Sequence, residues 1–264
     1  MSNAIATFVD HHHPLTTITS PQNPRLKAVR RLGDRRERAR SGHFAVEGED
    51  LVRAAREAGR PPIEGFRLAG SKLGEDGFHD VDAAALRAAS TLGSGTRVIG
   101  VYEQRWSEPL GPLCVYLHGV GDPGNVGTIL RSAHAFGASC VALGPRCADP
   151  HSPKAVRASM GAIFHVALAR ASGLDELPGE RVALSANAAD VLVAADGDGD
   201  RRAITLLVGA ERDGLAPELL AACDRTVRIP IASDSLNAAM AATVALYELT
   251  RSRDGAPRSS RVRT

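Results

Sequence analysis

Apolar and polar positions fall into two patterns along this chain. Residues 113–117, 140–143 and 204–208 are short, unbroken apolar runs, the pattern of strands buried on both faces. Residues 163–168, 182–185 and 226–229 read the same way, the last stopping at Pro230. Between these runs, residues 126–136, 154–160, 217–223 and an Ala-rich stretch ending at Leu249 have helical spacing. Pro217 suits a first helical turn, and Asn125 stands where a cap for the 126–136 helix is expected. Strands alternating with helices predict a parallel sheet with helices on both faces.

The first part of the chain alternates on a smaller scale. A helix is expected over 25–40, with Leu26, Val29 and Leu32 on one side and arginines elsewhere, capped by Asn23. A strand over 42–48, a helix over 50–58, a strand over 63–68, a helix over 83–89 and a strand over 97–101 follow. Together they predict a small α/β sandwich. Residues 102–112, with Pro109 and Pro112, read as a linker. The expected division is a segment without structure over 1–20, domains over 21–105 and 106–251, and a basic tail over 252–264.

Composition narrows the setting. The net charge is only +2, but 25–40 holds eight basic and two acidic residues, and 251–264 holds five basic and one acidic. Basic ends on an acidic body point to a polyanionic partner. No apolar run approaches the length of a membrane span, and no basic-then-apolar leader opens the chain. Cys114, Cys140, Cys147 and Cys223 form no CxxC pair, so free thiols in a reducing cytoplasm are expected, with no zinc site. No His, Asp or Glu cluster has metal-ligand spacing; 194–200 resembles half a calcium loop, but Arg201 and Leu207 stand where glycine and glutamate are needed.

Polar residues beside glycine or proline mark three loops that leave strand ends. Each suits simple turn punctuation as well as a ligand, and ligands of open α/β sheets sit off carboxyl strand ends. Gly119-x-Gly121-x-x-Gly124 formally matches a dinucleotide fingerprint. Pro123 inside it, and the lack of an acid ending the next strand, weigh against that use. The set Asn125-x-Gly127-x-x-x-Arg131, then Gly209-x-Glu211, then Ile229-Pro230 with Ser235-Leu236-Asn237, resembles the three motifs of the SpoU (TrmH-like) branch of the SPOUT methyltransferases. The resemblance covers the last 150 residues or so. One departure is the 231–234 loop, which lacks the glycine often found there.

The resemblance implies a fold and a reaction. The fold is an N-terminal L30e-like RNA-binding domain followed by a SPOUT parallel-sheet domain with a deep trefoil knot. The reaction is methyl transfer from S-adenosyl-L-methionine to a ribose 2′-hydroxyl in structured RNA, ribosomal ahead of transfer RNA, by a homodimer. A non-catalytic RNA-binding protein on the same fold is the alternative. By position, Ala186, Asn187, Val208, Gly209, Ile229 and Leu236 would hold the cofactor. Arg131, Asn125, Glu211, Ser235 and Asn237 would form the catalytic set. Arg131 would bind a phosphate and stabilise the developing alkoxide, and Glu211 would orient Arg131 or Asn125. On the basic helix, Arg25, Lys27, Arg30, Arg31 and Arg35 would contact RNA.

Overall fold

The structure, a computed structural model, describes residues 17–91, 95–193, 203–233 and 235–251. Residues 1–16, the 194–200 turn, Asp234 and the 252–264 tail lie outside the described residues.

Two short helices replace the single helix expected over 25–40. α1 (Pro24–Arg31) starts behind Asn23, whose side chain accepts the Arg25 N–H at 2.9 Å. α2 (Arg35–Ser41) starts afresh behind Asp34, whose carboxylate accepts the Arg36 N–H at 2.7 Å. Gly33 fits the break, because a Cβ there would lie 3.2 Å from the Arg30 carbonyl oxygen.

The four strands β1 (His43–Glu47), β2 (Glu64–Leu68), β3 (His79–Val81) and β4 (Val98–Glu103) pair in the order β1-β4-β2-β3. α3 (Glu49–Glu57) and α4 (Ala83–Ala89) complete the domain. Leu26, Val29 and Leu32 pack with Phe66, Leu86 and Ile99, as the helical spacing predicts. β3 was not expected. Ile18 bridges to Val81, so the end of the stretch expected to lack structure is held against the sheet. β4 runs into the expected linker, and Tyr102 is buried.

The second domain is a parallel sheet. Its strands are β5 (Leu113–Leu117), β6 (Cys140–Leu143), β7 (Ala167–Arg170), β8 (Glu180–Leu184), β9 (Asp190–Val191), β10 (Ile204–Val208) and β11 (Arg225–Arg228). Their order is β7-β6-β5-β10-β8-β11-β9, with every pair parallel. Thus β10 lies between β5 and β8, and β11 lies between β8 and β9. α5 (Pro123–Ala135), α6 (Pro153–Ser159) and α8 (Ala238–Thr250) lie together on one side of the sheet core, and α7 (Pro217–Ala221) packs on the other. Residues 163–168 are not one strand. Ala162–Phe164 form a 3-10 turn, and β7 starts later, because Ile163 and Phe164 face the first domain. The cap of α5 is Asp122, whose carboxylate accepts the Asn125 N–H at 3.0 Å; Asn125 itself lies inside the first turn. Helix α8 uses Ala238, Ala239 and Ala242 for packing within this chain.

Gly127 sets the spacing of α5 and α6. A Cβ there would lie 2.2 Å from the Ala155 carbonyl oxygen and 2.7 Å from Ala158 Cβ. Only glycine lets the two backbones meet this closely.

The two domains share one core, which runs from Phe44, Val46 and Tyr102 to Val156, Ile163 and Phe164. Arg38 crosses the same boundary. It is 3% exposed, and its Nη2 lies 2.7 Å from Asp149 Oδ2. Its Nη1 donates to the carbonyls of Leu32 at 2.7 Å and Gly33 at 2.9 Å. Burial alone would raise the Asp149 carboxyl, but the His151 contacts and Arg38 hold it well below the usual carboxylate range. His151 is buried beside Phe44 and Trp106, with ring centroids at 4.7 and 5.2 Å.

Two stability measurements follow. Arg38→Ala leaves the largely buried Asp149 carboxylate without its cation and should cost about 3–5 kcal/mol in urea unfolding. A carboxyl with a depressed folded pKa stabilises above its unfolded value, near ~3.9, and that contribution drains as pH falls through the folded value. The gap between wild type and Arg38→Ala should therefore be widest near neutral pH and narrow in acid. Gly127→Ala should cost about 1–3 kcal/mol by overpacking, read as a fall in melting temperature of roughly 2–4 °C per kcal/mol.

Candidate active site

Three loops meet at the carboxyl edge of the sheet. The first follows β5 and leads into α5. The second follows β10, where Ala210 and Gly214 exchange backbone hydrogen bonds at 3.1 and 3.0 Å around a charged tip. Gly209 allows that tight turn, since a Cβ would lie 2.2 Å from the Gly214 carbonyl carbon. The third follows β11 and enters α8 at Asn237.

Glu211, at the tip of the second loop, reaches the first. Its carboxylate accepts the Asn125 Nδ2–H at 2.8 Å and the N–H groups of Asp122 at 3.3 Å and Gly121 at 3.4 Å. Burial pushes this carboxyl up, but these donors outweigh it and hold it below its ordinary value. Asn237 links the third loop. Its Nδ2 donates to Asn125 Oδ1 at 3.1 Å, while its Oδ1 caps α8 by accepting from Ala239 at 2.9 Å and Met240 at 3.2 Å. The result is a hydrogen-bonded run, Glu211–Asn125–Asn237, through one residue of each motif. Asn125 keeps one N–H and one lone pair for a further partner.

Asp122 supports this run from below. Lys154, on α6, donates to its carboxylate at 2.7 Å. That contact, with the backbone donors of α5, holds the Asp122 carboxyl below its usual range. The sequence reading passed over Asp122 as a functional residue, although Asp122-Pro123 is a legible helix start. It also passed over His118, which directly follows β5. Burial and the nearby Arg146 lower its pKa, so the neutral imidazole prevails at pH 7.

The remaining candidates fall in separate places. Arg131 is exposed on α5 and makes no ion pair among the described residues. The Ser235 carbonyl accepts from the Ser233 hydroxyl at 3.3 Å, and its own hydroxyl makes no contact with the Asn125 run among the described residues. Ala186 and Asn187 follow β8, Val208 and Gly209 end β10, and Ile229 follows β11, so these five lie at the carboxyl ends of adjacent strands. Leu236, half-buried, immediately precedes the α8 cap. No hydrogen bond to another described residue engages the backbone of Asn187, Gly209 or Ile229. Groups of that kind suit a ligand held through main-chain contacts.

On the first domain, Arg25 is ion-paired with Glu64. Lys27, Arg30, Arg31 and Arg35 are exposed and unpaired among the described residues. No described helix is long and apolar enough to cross a membrane, and no described group of three or more His, Cys, Asp or Glu is placed to hold a metal.

Comparison with known proteins agrees with this architecture. Residues 23–104 match the MRM3-like substrate binding domain. The 23S rRNA (uridine(2479)-2'-O)-methyltransferase of Streptomyces viridochromogenes is 32% identical, with 84% of this chain and 87% of that protein covered. The 23S rRNA (guanosine(2553)-2'-O)-methyltransferase RlmP of Bacillus subtilis is 29% identical, over 88% of this chain and 98% of that protein. The AdoMet-bound rRNA methyltransferase from Sinorhizobium meliloti superposes with a TM-score of 0.78 at 31% identity, covering 89% of this chain and 97% of that one. With residues 112–247 matching the SpoU rRNA Methylase family, the chain belongs to that family.

Proposed function

We propose that this protein transfers a methyl group from S-adenosyl-L-methionine to a ribose 2′-hydroxyl in ribosomal RNA, with 23S rRNA as substrate. The observation that carries the reading is the Glu211–Asn125–Asn237 run, set beside strand ends with unengaged backbone groups. The relatives above are named for that reaction on 23S rRNA. The cofactor, when bound, supplies the electrophilic methyl group.

The residues divide the remaining work. Main-chain groups of Asn187, Gly209 and Ile229 hold the cofactor, with Ala186, Val208 and Leu236 beside them. Glu211, ionised at neutral pH, orients Asn125 rather than Arg131, and Asn125 presents its free donor and acceptor to the ribose. Asn237 and Ser235 fix the third loop. The Arg131 guanidinium stabilises negative charge on the 2′-oxygen and binds an adjacent phosphate. Residues 21–105 form the domain that grips structured RNA through Lys27, Arg30, Arg31 and Arg35, and 106–251 form the catalytic domain. The four cysteines are free thiols, which fits a reducing cytoplasm.

The reading extends to assembly and threading. Met240, Val244 and Tyr247 recur at helical spacing on α8 and are 62%, 41% and 54% exposed. Such an apolar stripe supports a homodimer through α8, placed beside the exposed α5 face that carries Arg131. The late insertion of β10 and β11 between earlier strands supports a trefoil knot in the catalytic domain.

Incubation with labelled S-adenosyl-L-methionine and 23S rRNA, followed by digestion to nucleosides, should yield a 2′-O-methylated nucleoside. A methylated base, or no transfer to any RNA despite bound cofactor, would overturn the reading. Arg131→Ala should lower turnover by about 10²–10³, the cost typical of losing one charge-stabilising group, with cofactor affinity by calorimetry unchanged. Tyr247→Asp should shift the protein from dimer to monomer in light scattering at micromolar concentration. A monomeric wild type would remove the dimer from the proposal.

A further inference from the structure

A cleft of about 420 Å³ opens between the two domains, away from the Asn125 run. Its walls come from four distant parts of the chain. Arg35 opens α2, Trp106 belongs to the linker, Arg146 lies in the turn after β6, and Arg170 ends β7. Among the described residues lining it, Asp149 is the one acid, and its carboxylate is taken up by Arg38 and the His151 N–H. The three arginines have no acidic partner among the described residues. Arg170 lies over Trp106, with its guanidinium carbon 4.2 Å from the ring centroid, which holds the charge in place without neutralising it.

Arg146 is the unusual member. Its φ is +60°, a left-handed conformation that costs a residue with a Cβ roughly 1–2 kcal/mol. The turn is held there by backbone bonds to the loop after β5. Gly144 N–H donates to the Leu117 carbonyl at 2.8 Å, Gly119 N–H to Pro145 at 3.0 Å, and Ala148 N–H to Val120 at 2.9 Å. That same loop, a few residues on, carries the N–H groups bound by Glu211. The floor of the cleft and the catalytic loop are therefore neighbouring segments joined by backbone hydrogen bonds. Strain retained at an exposed cation, where glycine would fit freely, marks a position with a use.

We propose that this interdomain cleft seats single-stranded RNA flanking the target nucleotide, with Arg35, Arg146 and Arg170 on successive phosphates. The inference rests on the RNA reading above and adds a site that the family motifs do not include. Phosphate suits it because the charges are cationic, unpaired, spaced along a groove and contributed by both domains. Seating RNA there fixes the strand against the rigid boundary between the domains, which brings the adjoining ribose to the catalytic loop.

The test is the salt dependence of binding, measured by filter retention of a 23S rRNA transcript over a potassium chloride series. The double variant Arg35→Ala with Arg146→Asn removes two charges, and asparagine tolerates the left-handed backbone at 146. Its slope of log affinity against log salt should flatten by about 1.4, at roughly 0.7 per phosphate contact on a single strand. Arg35→Lys with Arg146→Lys should keep the wild-type slope. Arg181→Gln, at the start of β8 and ion-paired with Asp224, should also keep it. An unchanged slope in the folded double variant, or an equal loss with Arg181→Gln, would overturn the cleft. Methyl transfer is read in parallel. Transfer by wild type with no change of slope in the double variant sinks the cleft alone. A flattened slope without transfer by wild type sinks the methyltransferase reading alone.

Discussion

Asn125 has a single amide, and three loops depend on how it is used. One hydrogen goes to Glu211, and its oxygen accepts from Asn237. Each partner is committed elsewhere as well. Asn237 closes the open end of α8, and Glu211 satisfies two N–H groups ahead of α5. Turning any one of these groups breaks hydrogen bonds to more than one loop at once, and each such bond contributes about 0.5–1.5 kcal/mol. The three loops are thus tied together by their own side chains.

The rigidity extends outward. The loop carrying this run is zipped to the turn after β6, and the next loop residues reach Asp149, the acid that receives Arg38 from the first domain. A shared aromatic cluster of Phe44, Tyr102 and Phe164 crosses the same boundary. The two domains therefore act as one body at this boundary. The first domain thus has a defined position relative to the second.

The parts legible in sequence are those whose environment is uniform. β5, β6 and β10 are buried on both faces, so their apolar runs are unbroken and their ends fall within a residue or so of expectation. β3 and β9 are short and carry polar residues, so no run marks them. Ile163 and Phe164 are apolar because they meet the other domain, and periodicity alone cannot separate that from a strand. Asn125 is legible as a polar loop residue beside a helix start but not in its local role, since Asp122 is the cap. Arg38 looks like its neighbours in sequence; its burial depends on Asp149, 111 residues later. The cleft was invisible for the same reason, being assembled from segments that share no pattern.

The strand order also has a consequence in time. Synthesis releases β5, β6, β7 and β8 before β10, yet β10 is the strand that joins β5 to β8. Until it emerges, both of those strands present open apolar edges, the kind of surface that invites pairing with another chain. A growing chain in this state is exposed to aggregation for as long as the ribosome takes to reach residue 208, at about 5–20 residues per second. A chain truncated before β10 therefore has no strand to join β5 to β8.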